Sequence, residues 1–261
     1  MPRVDKIISF DIKSEFGFFK KPDVNNPIYF TFNIIPKPTL LGILGAIIGL
    51  GGYSQQNNQD YPEFYEKLKN ILVGIKPYGN KGVFQKRLIK YNNTVGYANK
   101  DGGTLNIAEQ TLIEPQYKIY LGLDLTNKFH KKLEEFIKET KVQYEYIPYM
   151  GKNEFRLEIN SVKHFENIEY FIPTDDFSIT TIFPNISQEA LKVNEALDDP
   201  FDTSMSETYF YYFERLPIGF DELNQYVYQD FAYTNAKMIK DIDLIGKVKL
   251  YKVEDKVVCL Y

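Results

Sequence analysis

Tryptophan is absent from this 261-residue sequence, cysteine occurs once and histidine twice. The single thiol, Cys259, excludes an intramolecular disulfide and any zinc site built on clustered thiolates, which fits a reducing compartment. Its apolar neighbours make it a buried strand residue. Two histidines confine any His-dependent acid–base chemistry to His130, expected on an exposed helix surface, and His164, expected in a surface turn after a strand. Walker A, Rossmann, zinc-protease and nucleophile-elbow patterns are all missing. Asp175-Asp176 and Asp198-Asp199 lack an evident third ligand, so neither a metal nor a cofactor is expected. Long apolar runs are missing too: Leu40 to Leu50 is short of the roughly 20 residues that span a bilayer. Met1-Pro2-Arg3-Val4-Asp5 has no charged-then-apolar arrangement of a signal peptide, and the expectation is a soluble, cytoplasmic protein.

What the sequence does contain is aromatic and unevenly charged. There are 21 Tyr and 20 Phe, which favour strands and also supply surfaces on which bases stack. The net charge of −4 conceals a polarity. From Lys67 to Lys100 there are eight basic residues and no acid, whereas Glu166 to Asp243 holds sixteen acids against four bases. A face of one sign attracts phosphates whatever the net charge, because screening cuts off distant charges within about 10 Å. A merely solvated basic surface is the other reading.

Along the chain, Ile8, Phe10 and Ile12 alternate as a half-buried strand, and Tyr29 to Phe32 is extended. Pro36 and Pro38 bar a helix before Thr39, which is placed to cap one. In that helix Gly42, Gly45, Gly49 and Gly52 recur on one ridge. Glycine costs about 1 kcal/mol against alanine in a helix, so the ridge calls for a closely packed backbone. Asp60 and Glu63 resemble a capping box for a short helix to about Asn70. Ile71 to Lys76 and Val83 to Tyr91 read as strands, Asn92 to Thr104 as the tip of a long hairpin, and Tyr117 to Leu123 as a further strand. A helix from about Thr126 to Lys141, a strand through Phe155, Leu157 and Ile159, a strand through Tyr209, Tyr211 and Phe213, and a hairpin of Val248 to Val253 with Lys256 to Tyr261 complete the pattern. Strand, helix, strand, strand, helix, strand is the ferredoxin-like order, shared with RNA-recognition motifs. The expected class is therefore α+β: a ferredoxin-like domain at 1–160, with a long β-hairpin inserted at about 77–114, and a β-rich region at 161–261.

Three segments carry a resemblance to a known family. Phe16-Gly-Phe-Phe-Lys-Lys-Pro22, Pro36-Lys-Pro-Thr-Leu-Leu-Gly-Ile-Leu-Gly-Ala-Ile-Ile-Gly49 and Pro148-Tyr-Met-Gly-Lys-Asn-Glu-Phe155 resemble the Cas-five family, RAMP-type proteins of type I CRISPR systems. Met150 and Asn153 stand where the family's third segment has Leu and Ser. Glu109 to Tyr120 is similar to the strand that returns from the family's thumb. The resemblance implies a non-catalytic subunit of a type I, I-B-like surveillance complex (Cascade) for antiviral defence. It would grip the 5′ handle of the crRNA, contact backbone and large subunits, and meet target DNA only through the complex. RNA contacts would come from Lys20, Lys21, Lys37, Thr39, Lys81, Lys86, Arg87, Lys90, Tyr91, Lys100, Lys152 and Asn153, with Tyr97 as a further stacking candidate. Type I-C members cut repeat RNA with Tyr, Lys and His. No histidine neighbours Lys118 here, which leaves Lys163-His164 as the alternative, a metal-independent repeat endoribonuclease.

Overall fold

The computed structural model describes residues 3–22, 27–93, 105–185, 191–192, 209–240 and 248–261. In chain order the elements are β1 (Lys6–Lys13), β2 (Phe16–Gly17), β3 (Ile28–Tyr29), α1 (Lys37–Ile48), α2 (Glu63–Leu68), β4 (Leu72–Pro77), β5 (Lys86–Asn93), β6 (Leu105–Ile113) and β7 (Gln116–Leu123). They continue with α3 (Lys128–Phe136), β8 (Glu158–Phe165), β9 (Phe183–Pro184), β10 (Leu191–Lys192), β11 (Tyr211–Phe220), β12 (Tyr226–Thr234), β13 (Lys237–Met238), β14 (Lys249–Val253) and β15 (Lys256–Leu260). Among the described residues the chain is a strand-rich α+β protein, and no helix is long and apolar enough to cross a membrane.

A central antiparallel sheet runs in the order β4-β7-β1-β8. Successive strand residues face opposite ways, so the alternation read in the sequence assigns its two faces. Ile8, Phe10, Ile12, Val73, Ile75, Ile119 and Leu121 enter the main core with Leu40, Leu41, Leu44, Ile47 and Ile48 of α1. Ile7, Leu72 and Tyr120 enter a second cluster with Tyr251, Val258 and Leu260, so the β14–β15 hairpin lies on the outer face. Gly74 makes that approach possible, since a Cβ there would come within 2.8 Å of the Cys259 carbonyl oxygen and of Leu260 Cδ2. Cys259 is buried in β15, as expected. Further C-terminal residues, Ile182, Leu216 and Phe231, join the main core. β11 and β12 form a hairpin flanked by β9, and β10 pairs with β13.

A second sheet is built on β6. β5 pairs with it antiparallel from Lys86 opposite Leu112 to Asn93 opposite Leu105, while β2 and β3 occupy its other edge. Residues 94–104, which include Lys100 and Tyr97, lie outside the described residues, as do Asp198 and Asp199.

Several local expectations are corrected. Thr39 does not cap α1: the helix begins at Lys37 with Pro36 as N-cap (φ −66°, ψ 147°), and Pro38 sits in the first turn, where its missing N–H would have had no partner. The helix ends at Ile48, with Gly49 left-handed at φ 76° as its cap, so the four glycines do not form one ridge. What packs closely is Phe64 of α2, whose Cβ would lie 2.5 Å from a Cβ on Gly45. Glu63 makes no capping box; its carboxylate accepts the Gly51 N–H at 2.9 Å. α3 is shorter than its amphipathic pattern, with Asn127 accepting the Phe129 N–H at 2.9 Å as cap. The last N-terminal strand is β8, and it starts at Glu158 rather than at Phe155.

Both histidines depart from expectation. His130 is buried, and Nδ1 accepts the Asp124 N–H at 3.0 Å; burial lowers its pKa, with the Asp124 charge opposing. His164 lies within β8 rather than in a turn, its Nε2 2.8 Å from the Ile137 carbonyl oxygen.

One residue ties the layers together. Asn33 is fully buried; its side chain donates to the Gly82 carbonyl at 2.8 Å and accepts from the Phe84 N–H at 2.9 Å. Its carbonyl accepts the Tyr117 hydroxyl, and its N–H donates to Glu214 at 3.0 Å.

Candidate nucleic-acid interface

The candidate side chains gather on β6. Its register with β5 puts Arg87, Ile89 and Tyr91 on one face with Ile107, Glu109 and Thr111, and puts Lys86, Leu88 and Lys90 on the other. Lys152 reaches the first face from the turn after Met150, its Nζ 2.7 Å from Glu109 Oε1 and 3.3 Å from Glu154 Oε1. The same ammonium lies 5.0 Å from the ring centre of Tyr91, 5.5 Å from Phe155 and 5.7 Å from Phe18. The Tyr91 hydroxyl donates to Glu109 Oε2 at 3.3 Å. Burial alone would lower the Lys152 pKa, but the hydrogen bond and charge of Glu109 more than offset it and leave it raised. Burial, then Glu109, raises the Tyr91 phenol. Glycine is required at 151: φ is +89°, and a Cβ there would collide with the Phe18 carbonyl oxygen. Asn153 is exposed on this turn.

Lys20 and Lys21 approach β6 from its other edge. Lys20 is exposed, with Nζ 3.8 Å above the ring of Tyr29, and Tyr29 lies in register beside Glu109. Lys21 Nζ is 3.5 Å from Glu214 Oε1 and 5.0 Å from the ring centre of Phe32. The Glu214 carboxylate is buried and also accepts the Ile34 N–H at 2.9 Å. The ammonium of Lys86, on an exposed residue, is desolvated enough to lower its pKa; Glu214 opposes the shift and Lys21 adds to it. Arg87 and Lys90 are exposed on opposite faces of β5, and Lys81 is exposed in a left-handed turn at φ 53°.

Lys37 is a correction. It is 8% exposed, and its Nζ donates to the main-chain oxygen of Tyr261 at 2.9 Å instead of facing solvent. Burial, with Lys249 adding, holds its pKa down to about 8. Just ahead of α1 the chain's own Glu214 takes the N–H groups of Asn33 and Ile34.

Thr39 has a different role from the expected cap, since it borders a groove of about 610 Å³ along α1. Pro38 and Gly42 form part of the floor, and Tyr53, Tyr146, Tyr149 and Tyr226 stand around it. Tyr53 and Tyr146 are each 61% exposed, and among the described residues no charged side chain lines the groove. Exposed rings of this kind suit stacking on bases. These tyrosines escaped the sequence reading because they come from three separate segments with no shared spacing. Glu109 and Glu214 escaped it as well. Their only signal was position: each is a lone acid in an aromatic or apolar strand.

The alternative catalytic pair is separated. Lys163 and His164 are consecutive in β8 and therefore face opposite sides of the sheet. Lys163 pairs with Glu254 at 3.0 Å, and His164 turns toward Ile137 at the end of α3.

No family model and no curated protein sequence matches the chain. Solved structures similar to it include a CRISPR protein from Archaeoglobus fulgidus, with 14% identity, coverage of 98% of each chain and a TM-score of 0.48. A chain of a CRISPR RNA-guided surveillance complex is similar at 9% identity over 88% of this chain and 90% of that one, with a TM-score of 0.43. A chain of the type III-B Cmr-beta complex bound to cognate target RNA and AMPPnP is similar at 12% identity over 97% and 99%, with a TM-score of 0.44. TM-scores below 0.5 leave function to be argued from the residues themselves.

Proposed function

We propose that the chain is an RNA-binding subunit of a type I CRISPR surveillance complex, one that grips the 5′ handle of the crRNA without cutting it. The observation that carries this reading is the convergence on β6 of three segments distant in sequence: Lys20 through Tyr29, the strand Lys86 to Tyr91, and Lys152 through Glu109. Two of them, the loop at Lys20-Lys21 and the turn at Lys152-Asn153, lie within segments that resemble the Cas-five family. In this reading the central sheet with α1 and α3 is a ferredoxin-like domain, β5–β6 is the base of its thumb, and the C-terminal strands dock on neighbouring subunits.

Glu109 and Glu214 hold Lys152 and Lys21 in place and reduce their free charge. Phosphate attraction then falls mainly to the exposed Lys20, Lys81, Lys86, Arg87 and Lys90. Unstacked bases have the tyrosine groove within reach of the same turn, since Gly151 lines it. The placement of Lys163 and His164 on opposite faces supports binding without cleavage.

The test is labelled repeat RNA incubated with the protein in EDTA, followed on native and denaturing gels across a salt series. Intact, retained RNA is expected. Replacing Lys86, Arg87 and Lys90 together by Met should lower the slope of log affinity against log salt by about 2, from roughly 0.7 per phosphate contact. A discrete product abolished by His164→Ala would establish the endonuclease instead, and binding insensitive to salt would leave a protein scaffold.

A further inference from the structure

The outer face of the central sheet carries a second concentration of charge, on the side away from α1 and the tyrosine groove. Lys76, Lys118 and Asp11 are in-register neighbours across β4, β7 and β1. Alternation sends all three to the face on which Leu72, Gly74 and Tyr120 lie under the β14–β15 hairpin. Lys256 opens β15 on the side of that strand from which Val258 and Leu260 meet the sheet, so it projects toward the same place. Asp11 Oδ1 takes Lys118 Nζ at 2.9 Å and the Tyr78 hydroxyl at 3.2 Å. Lys118 is thus paired with Asp11, while Lys76 and Lys256 share its side of the sheet.

Like charges directly opposite each other destabilise a sheet, and Lys76 faces Lys118; among the described residues no acid pairs with it, and its Nζ lies 5.7 Å from the ring centre of Tyr78. Its pKa is lowered by burial, then by Lys256 and Lys118, with only Asp11 opposing. The other charges around this face are committed elsewhere: Lys13 to Glu158 at 3.0 Å, and Lys163 to Glu254 at 3.0 Å. Asp255, in the hairpin turn, is exposed. A compact anion seated among the three lysines would relieve this repulsion.

We propose that Lys76, Lys118 and Lys256 form a phosphate-binding site on the outer face of the sheet, with Asp11 and Tyr78 fixing Lys118. Each ammonium is a three-donor point charge, which suits the several acceptor oxygens of a phosphate group. A free phosphate and a backbone phosphate of RNA present the same chemistry. The site shares no residue with the β6 interface, so it stands or falls apart from the handle-binding reading.

The experiment melts the full-length protein in a phosphate-free buffer with added inorganic phosphate, using chloride at equal ionic strength as the control. The wild type should gain several degrees from millimolar phosphate beyond the chloride control. The double variant Lys76→Met with Lys256→Met should melt higher than wild type without phosphate, because the repulsion is gone, and should gain nothing from it. A structural role for these lysines predicts the reverse, a variant that melts lower. In a second arm, oligouridylate competes for bound radiolabelled phosphate. Displacement at tenfold lower concentration than unlabelled phosphate assigns the site to an RNA backbone, and weaker displacement assigns it to a small anion; either result upholds the site. A wild type that gains nothing over chloride, or a double variant that keeps the gain, overturns it.

Discussion

The two faces of the central sheet solve burial differently. On the inner face Ile8, Phe10, Ile12, Ile75, Ile119 and Leu121 form an unbroken apolar layer against α1. On the outer face the apolar layer stops half-way: Ile7, Leu72 and Tyr120 are covered by β14–β15, and beyond them come Asp11, Lys76 and Lys118. The inner face is filled by side-chain volume. The covered half of the outer face is fitted by its absence, since Gly74 and Gly122 let Leu260 approach the sheet backbone. A face that exists to fold and a face that is only partly needed for folding can thus share one set of strands.

The largest effect that would sharpen this contrast is a deletion on the inner face. Ile119→Ala should cost about 4 kcal/mol in urea unfolding, the transfer loss plus the cavity left in a layer that has no room to close. An outcome near 1 kcal/mol would show the inner layer to be loosely packed. On the outer face the damaging change is an addition. Gly74→Val drives a side chain into Cys259 and Leu260 and should cost about 3 kcal/mol, while Leu260→Ala in the same chain should restore part of it. Additive effects would break the claim that the glycine is there for the hairpin.

The smallest effect concerns the seam between the layers, where Lys37 of α1 donates to Tyr261 just past β15. Its folded pKa of about 8 lies below the ordinary 10.5, so between these values the unfolded chain binds more protons and stability rises with pH. Below about pH 8 both states are charged and the burial cost stands in full. Between pH 7 and 9.5 the stability of wild type relative to Lys37→Met should therefore rise by about 2 kcal/mol. Urea curves at the two pH values check this, and a gap that does not move would mean that Lys37 is solvated.

Period-two alternation made β1, β7 and the β14–β15 hairpin legible in the sequence, because a sheet face against a core imposes that pattern locally. The β5–β6 pairing was legible from a strand-like run followed by a glycine- and asparagine-rich stretch, and its returning strand only through the family resemblance of Glu109 to Tyr120. What depended on distant partners was not. Lys37 looked like a phosphate ligand because nothing near it in sequence announces that Tyr261 covers it. His130 sat in a charged string, yet the helix turns it inward to the Asp124 amide. Among the interface candidates, composition found the exposed lysines of β5 but not the acids Glu109 and Glu214, whose partners lie 43 and about 180 residues away. The groove tyrosines were hidden for the same reason.

The Asn33 junction has a consequence for the order in which the chain assembles. Its four bonds reach Gly82, Phe84, Tyr117 and Glu214, and the last of these closes a loop spanning most of the chain. Such a junction cannot form while any one contributor is still loose, so it completes late and comes apart only when the whole domain opens. The amide hydrogens of Asn33 and Ile34, although they belong to an irregular segment, would then exchange with solvent as slowly as those of the central strands. A coil residue would thus report on global opening.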